Sequence, residues 1–205
     1  PNGWHRDTAS RLLYQRQDSS ASSSLRTLAS DSKLAEGRVG ALYSLQGIGT
    51  LDEAALLPAL QDPSPLVRAH ALRLAEPMVA DSPALVARMC EMTADGDLRV
   101  RYQLAFSLGV ARGRGRNTAI ATLALEDGGD RWMRLALASS LFEGAGPVFA
   151  VLGAEPGFRS SNHGSQFLVE LAGQIGANNR ADEIAIVIRT LEQFTEGEKS
   201  LGQRV

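Results

Sequence analysis

Apolar positions along this chain recur with a helical period, and the helices they predict recur with a longer one. Four stretches align: Gly37-Arg38-Val39-Gly40-Ala41-Leu42, Val67-Arg68-Ala69-His70-Ala71-Leu72, Val100-Arg101-Tyr102-Gln103-Leu104-Ala105 and Met133-Arg134-Leu135-Ala136-Leu137-Ala138. Their arginines are 30, 33 and 33 residues apart. Val67, Ala71, Leu72 and Ala75 share one face of a helix, as do Val100, Leu104, Ala105 and Leu108, and Met133, Leu137, Ala138 and Leu141. A second apolar segment follows each arginine: Leu56, Leu57 and Leu60; Leu85, Val86 and Met89; Ile120 and Leu123; Val148, Phe149 and Leu152.

Turn and cap signals separate the units: Asp62-Pro63-Ser64-Pro65, Asp95-Gly96-Asp97 and Asp127-Gly128-Gly129-Asp130. Pro65 suits a first helical turn, where its missing N–H has no partner to lose. Asp97 and Asp130 are candidate N-caps, accepting from free N–H groups of the first turn. Helix pairs at this period predict an all-α chain folded as an α-solenoid of two-helix repeats.

The predicted organisation is a single domain over 1–205. Capping helices occupy 1–32, repeats 33–62, 63–95, 96–128 and 129–155, a C-terminal pair 160–195 and a tail 196–205. At the start, Asp7 to Tyr14 reads as a capped amphipathic helix and Leu25 to Ala29 as its short partner, across a Ser19 to Ser24 linker. At the end, Gln166 to Ile175 and Ala181 to Phe194 pair across Gly176-Ala177-Asn178-Asn179. The opening Pro1-Asn2-Gly3-Trp4, without an initiator Met, predicts a piece of a longer polypeptide.

Asp62 precedes Arg68 by six residues, and Asp95 precedes Arg101 by six. This spacing resembles the HEAT family, in which an Asp and an Arg form a ladder between adjacent repeats. The physical logic is a bidentate guanidinium–carboxylate pair that holds the stacking register. Arg134 continues the series, with Gly128 standing where Asp is expected and Asp127 or Asp130 as substitutes. Thr-Pro-Leu-His of ankyrin repeats and Trp-x-x-Leu-Gly of tetratricopeptide repeats are both missing.

A more specific resemblance rests on Asn2-Gly3-Trp4-His5-Arg6-Asp7-Thr8-Ala9-x-Arg11-Leu12-Leu13, on Arg16-Gln17-Asp18, on Ala41 to Gly49, and on His70 to Pro77. Together these resemble the HEAT-repeat segment of large bacterial membrane-bound dehydrogenase proteins. In that family a quinoprotein-like β-propeller precedes the segment, and a cytochrome c domain with Cys-x-x-Cys-His follows it. The resemblance covers 1 to about 145 well and the rest loosely; His5 departs from it, where a second Trp is expected. It implies an exported, periplasmic or membrane-associated, haem-bearing parent, with this chain as a connector carrying neither catalysis nor cofactor.

Composition narrows the partners. Among 205 residues, 21 Lys and Arg against 23 Asp and Glu leave a net charge of -2, which argues against a nucleic-acid binder. Aromatics are 5%, and Ala and Leu dominate the apolar 44%, as helices prefer. One cysteine, Cys90, excludes an internal disulfide and any multi-cysteine metal site, and no apolar run is long enough to span a bilayer.

The candidate chemistry is sparse. His5, His70 and His163 lack a His or Cys at ligand spacing, so structural or surface roles are expected, with His163 capping a helix. Ser19 to Ser24 has no nucleophile-elbow setting. Cys90 on an apolar face predicts an inert thiol. Arg112, Arg114 and Arg116, interleaved with Gly113 and Gly115, form the one concentrated basic element, read as a solvated turn or a site for a phosphate or acidic partner. Trp4 with Arg6 is the best candidate inter-domain anchor, since Trp and Arg dominate interface hot spots. Trp4 and Trp132 are placed at ends or edges of the stack.

These observations favour a non-catalytic scaffold joining protein domains. A free-standing protein-binding adaptor is the next reading. A lyase or DNA glycosylase relative is third, and the latter would need a basic face with aromatics and a catalytic carboxylate.

Overall fold

A computed structural model describes residues 3–194. Among them there are thirteen α-helices, three short 3-10 segments and no strands, so the chain is all-α. The predicted tail at 196–205 lies outside the described residues. Contacts divide the chain into two compact units, Pro1–Leu104 and Ala105–Val205, where the repeat pattern predicts one continuous domain. The division falls within α7, inside the repeat expected at 96–128.

The first unit holds α1 (Gly3–Arg16), α2 (Ser22–Asp31), α3 (Ala35–Gly47), α4 (Glu53–Ala59), α5 (Pro65–Ala75), α6 (Pro83–Glu91) and most of α7 (Leu98–Ser107). Helix pairs α3/α4 and α5/α6 fall in the repeats expected at 33–62 and 63–95. Their starts follow capping chemistry. Asp52 accepts from the Ala55 N–H at 3.0 Å, Ser82 from that of Leu85 at 3.0 Å, and Pro65 takes the first turn of α5. Leu42, Leu45, Leu56, Leu60, Leu72 and Leu85 are fully buried. At about 1.5–3 kcal/mol for each buried Leu, this apolar seam outweighs any single polar contact in the unit.

The expected Ser19 to Ser24 linker is instead helical. Asp18 caps a 3-10 turn at Ser19–Ala21 by accepting from the Ser20 N–H at 3.0 Å, and the Ser22 hydroxyl donates to the Ser19 carbonyl at 2.6 Å. Short hydroxyls bond their own backbone readily, which here carries the chain straight into α2. Asp7 likewise lies within α1 rather than capping it, because the helix begins at Gly3.

The second unit holds α8 (Arg114–Asp127), α9 (Arg131–Ser139), α10 (Ala145–Ala154), α11 (Pro156–Ser160), α12 (Asn162–Asn178) and α13 (Ala181–Leu191). Asp130 caps α9, accepting from Trp132 at 2.7 Å and Met133 at 2.9 Å. Ser161, not His163, caps α12, since its hydroxyl accepts from the Gly164 N–H at 3.0 Å; His163 lies inside the helix, edge-on to Phe158. Helix α12 runs three residues beyond the expected Ile175 and stops at Asn179, whose left-handed φ of 51° closes the C-terminus. Glu183 on α13 is buried, and its carboxylate accepts from the N–H groups of Gly144 (2.9 Å) and Gly146 (3.1 Å). A side chain some forty residues downstream thus caps α10.

Each repeat arginine closes the loop that precedes its own helix. One terminal nitrogen donates to the carbonyl six residues back: Arg38 to Ser32 (2.6 Å), Arg68 to Asp62 (2.8 Å), Arg101 to Asp95 (2.6 Å) and Arg134 to Gly128 (2.8 Å). Arg159 on α11 does the same to Gly153, a fifth instance the repeat pattern does not announce. In the first unit the remaining edge of the guanidinium reaches forward one repeat. Arg38 grips Asp62 with both oxygens at 2.7 Å, and Arg68 grips Asp95 with both at 2.7 Å. Those carboxylates in turn accept from the N–H two residues on, Ser64 and Asp97. The hydrogen bond to Asp95, with the nearby carboxylate charges, raises Arg68 above its ordinary pKa against the effect of burial. Burial alone would raise the Asp95 carboxyl, but hydrogen bonds from Arg68 and the Asp97 N–H outweigh it and hold Asp95 below the usual carboxylate range.

The second unit departs. A Cβ at Gly128 would strike the Ala124 carbonyl, and one at Gly153 would lie 2.7 Å from the Thr190 methyl. Neither site has room for an Asp. Arg134 is buried, the same terminal nitrogen also donates to the Gly129 carbonyl at 3.3 Å, and its Nε has no partner.

Candidate functional site

The described surface concentrates unusual features at α1. This helix buries none of its residues, yet it lies along α3. Small side chains on α3 allow the approach. A Cβ on Gly40 would lie 3.6 Å from the Arg6 side chain, and one on Gly47 would lie 3.3 Å from the Tyr14 ring. Ser10 and Ser44 hydroxyls meet at 3.2 Å, and the Gln17 amide spans from the Tyr14 carbonyl (2.6 Å) to that of Gly47 (3.0 Å). Gln17 itself is left-handed, φ 51°, which ends α1.

Between α1, α2 and α3 this loose seat leaves a cavity of about 320 Å³. Leu13, Leu25, Leu28, Leu34 and Ala41 make it apolar, and His5 and Arg6 stand on its wall from the first turns of α1. Trp4 is 66% exposed and meets His5 edge-on at 5.0 Å between ring centres. The structure therefore brings Trp4 and Arg6 onto one exposed helix end, with a concave apolar surface beside them. The helical period alone does not disclose the cavity; the signal for it is the run of small residues Gly37, Gly40, Ser44 and Gly47 on one helix, which implies a close neighbour.

A second concavity of about 510 Å³ lies between α2 and α4, beside Arg26 and Asp62. Its charged groups are committed. Arg26 grips Asp52 at 2.8 Å with each of two nitrogens, and Asp62 holds Arg38.

The basic element separates into two kinds of arginine. Arg112 and Arg114 are exposed, and Arg112 stands 3.5 Å from Glu143 at the surface. Arg116 is not an interface residue, contrary to expectation. It is buried at 4% exposure, and its guanidinium donates to the carbonyls of Leu108 (3.1 Å), Glu143 (2.8 Å) and Ser140 and to the Asn117 side chain (2.8 Å). Burial pulls its pKa below the ordinary arginine value, against the charges of Glu143 and Glu183. Helix α8 starts at Arg114, so residue 116 is turned inward within the first turn.

His70 sits 3.0 Å from the Tyr43 hydroxyl, and burial, with the nearby Arg73 charge, pushes its pKa down. Cys90 is half-buried, and burial raises its thiol pKa, the opposite of an activated nucleophile. Trp132 is 63% exposed, with the Arg131 guanidinium 5.8 Å from its ring. Among the described residues no three His, Cys, Asp or Glu converge as a metal site, and no helix is long and apolar enough to cross a membrane.

Set against known proteins, the chain matches no family model and no curated sequence.

Proposed function

We propose that this chain is a non-catalytic HEAT-like α-solenoid that acts as a scaffold for protein domains. One observation carries the reading: the arginine of each repeat closes its own loop and, at Arg38 and Arg68, also holds the next repeat's carboxylate. A fixed link between successive units suits a stack whose repeats touch their neighbours and leave a long surface free. Trp4, exposed beside Arg6, is the docking anchor on this reading.

The resemblance of the opening residues and of Ala41 to Gly49 supports a narrower version. In it the scaffold connects a quinoprotein-like propeller to a haem-bearing cytochrome c domain in an exported protein. The test is the reading frame on both sides of Pro1 and Val205. A propeller upstream and Cys-x-x-Cys-His downstream are expected; a frame with neither leaves a HEAT-like adaptor and removes the redox context. In either case Trp4→Ala should weaken a partner's binding at least tenfold by titration, the size of a hot-spot contact, and unchanged binding would remove Trp4 from the proposal.

A further inference from the structure

The cavity under α1 has a division of chemistry that a purely structural seam would not need. Its floor is apolar, made by Leu25, Ala41 and Leu13. The serines that line it have spent their protons. Ser44 donates to the Gly40 carbonyl at 2.8 Å, Ser10 is left to donate to Ser44, and Ser32 exchanges hydrogen bonds with the backbone of Leu34. No serine hydroxyl in the interior is therefore left to donate to a polar ligand group.

The wall toward solvent is different. Arg6 lays its aliphatic stem over Gly40, and no carboxylate among the described residues pairs with its guanidinium. Every repeat arginine of the first unit, by contrast, has committed nitrogens. An arginine offers a planar fork of donors that matches a carboxylate. A volume of about 320 Å³ is at the lower end for a small-molecule pocket, which is roughly 300–1,000 Å³.

We propose that this cavity binds an amphiphilic carboxylate, with the apolar chain between α1 and α2 and the anionic head on Arg6. Each part has its counterpart: apolar walls for the tail, one unpaired cation for the head, and no interior donor to favour a polar molecule. The site stands apart from the scaffold reading, which needs Trp4 but not the cavity.

The test is calorimetric titration of the whole 205-residue chain with octanoate below its micelle concentration, beside octanol and acetate as tail-only and head-only probes. Saturable octanoate binding is expected, with octanol and acetate each at least tenfold weaker. Arg6→Ala should weaken octanoate about tenfold, the loss expected for one charge-assisted contact, and leave octanol unchanged. Gly40→Leu should abolish octanoate binding by filling the space below Arg6. That replacement also raises helix propensity, so circular dichroism should report a folded chain. Octanoate that fails to saturate the folded protein, that binds Arg6→Ala as tightly as the parent, or that binds no better than octanol overturns the proposal.

Discussion

Arg68 in the first unit and Arg134 in the second occupy the same repeat position and close their loops through the same hydrogen bond, but only one meets an acid. Arg68 finds Asp95 at 2.7 Å; Arg134, the more deeply buried of the two, keeps a buried Nε without a partner. The cause is steric. At Gly153, the loop position one repeat on from Arg134, the Thr190 methyl occupies the space a Cβ would take. The loop clamp is thus the general device, and the inter-repeat ion pair is an addition that packing permits at Asp95 and forbids at Gly153.

The sharpest way to break this comparison is Arg68→Ala. It strands a buried carboxylate, and loss of about 3–5 kcal/mol is expected for one partner of such a pair, read by urea unfolding. The same pair sets an acid limit. Asp95 titrates below its unfolded value of about 3.9, so its contribution is complete above that pH and is lost as pH falls through the folded value. The melting temperature should fall below about pH 4, and Asp95→Asn should flatten that part of the profile.

Arg116→Ala comes next, at about 2–4 kcal/mol, because it unpairs two buried carbonyls and a third that is part-buried. Arg114→Ala, exposed on the same turn, should stay within about 0.5 kcal/mol and serves as the control. Gly153→Asp sharpens the steric argument. It restores the ladder residue yet should destabilise by about 1–3 kcal/mol through overpacking against Thr190. The smallest effect among the buried arginines is Arg134→Met, about 1 kcal/mol or less, since the lost clamp is offset by removing an orphaned donor. Equal costs for Arg134→Met and Arg68→Met in chemical unfolding would erase the distinction between the two halves.

Much of this was legible from residue spacing, and the failures are physical. The helix pairs follow from apolar faces such as Val67-Ala71-Leu72-Ala75, because burial of that face is what forms the helix. The six-residue Asp–Arg spacing foretold an inter-repeat pair but not its other half, the bond to the arginine's own loop. Arg159 escaped notice because α11 has only five residues and no apolar period to mark it. Arg116 was misread because two glycines and three arginines look like solvent-exposed turn, whereas burial depends on which residue starts the helix. The cavity was invisible for a related reason: it is made of what α3 lacks at Gly40 rather than of any large side chain.

Asp62 takes part in two rungs at once, receiving Arg38 on its side chain and Arg68 on its carbonyl. This sets where the first unit tolerates extra length. From each loop acid to its following arginine the count is six in both repeats, while from arginine to the next acid it is 24 in one and 27 in the other. The longer of these two intervals contains the 3-10 stretch Glu76–Asp81. A residue inserted between Asp62 and Arg68 would break two rungs in one step, whereas one inserted within 76–81 would leave every rung in register. Grafts of foreign peptide belong in that second kind of loop.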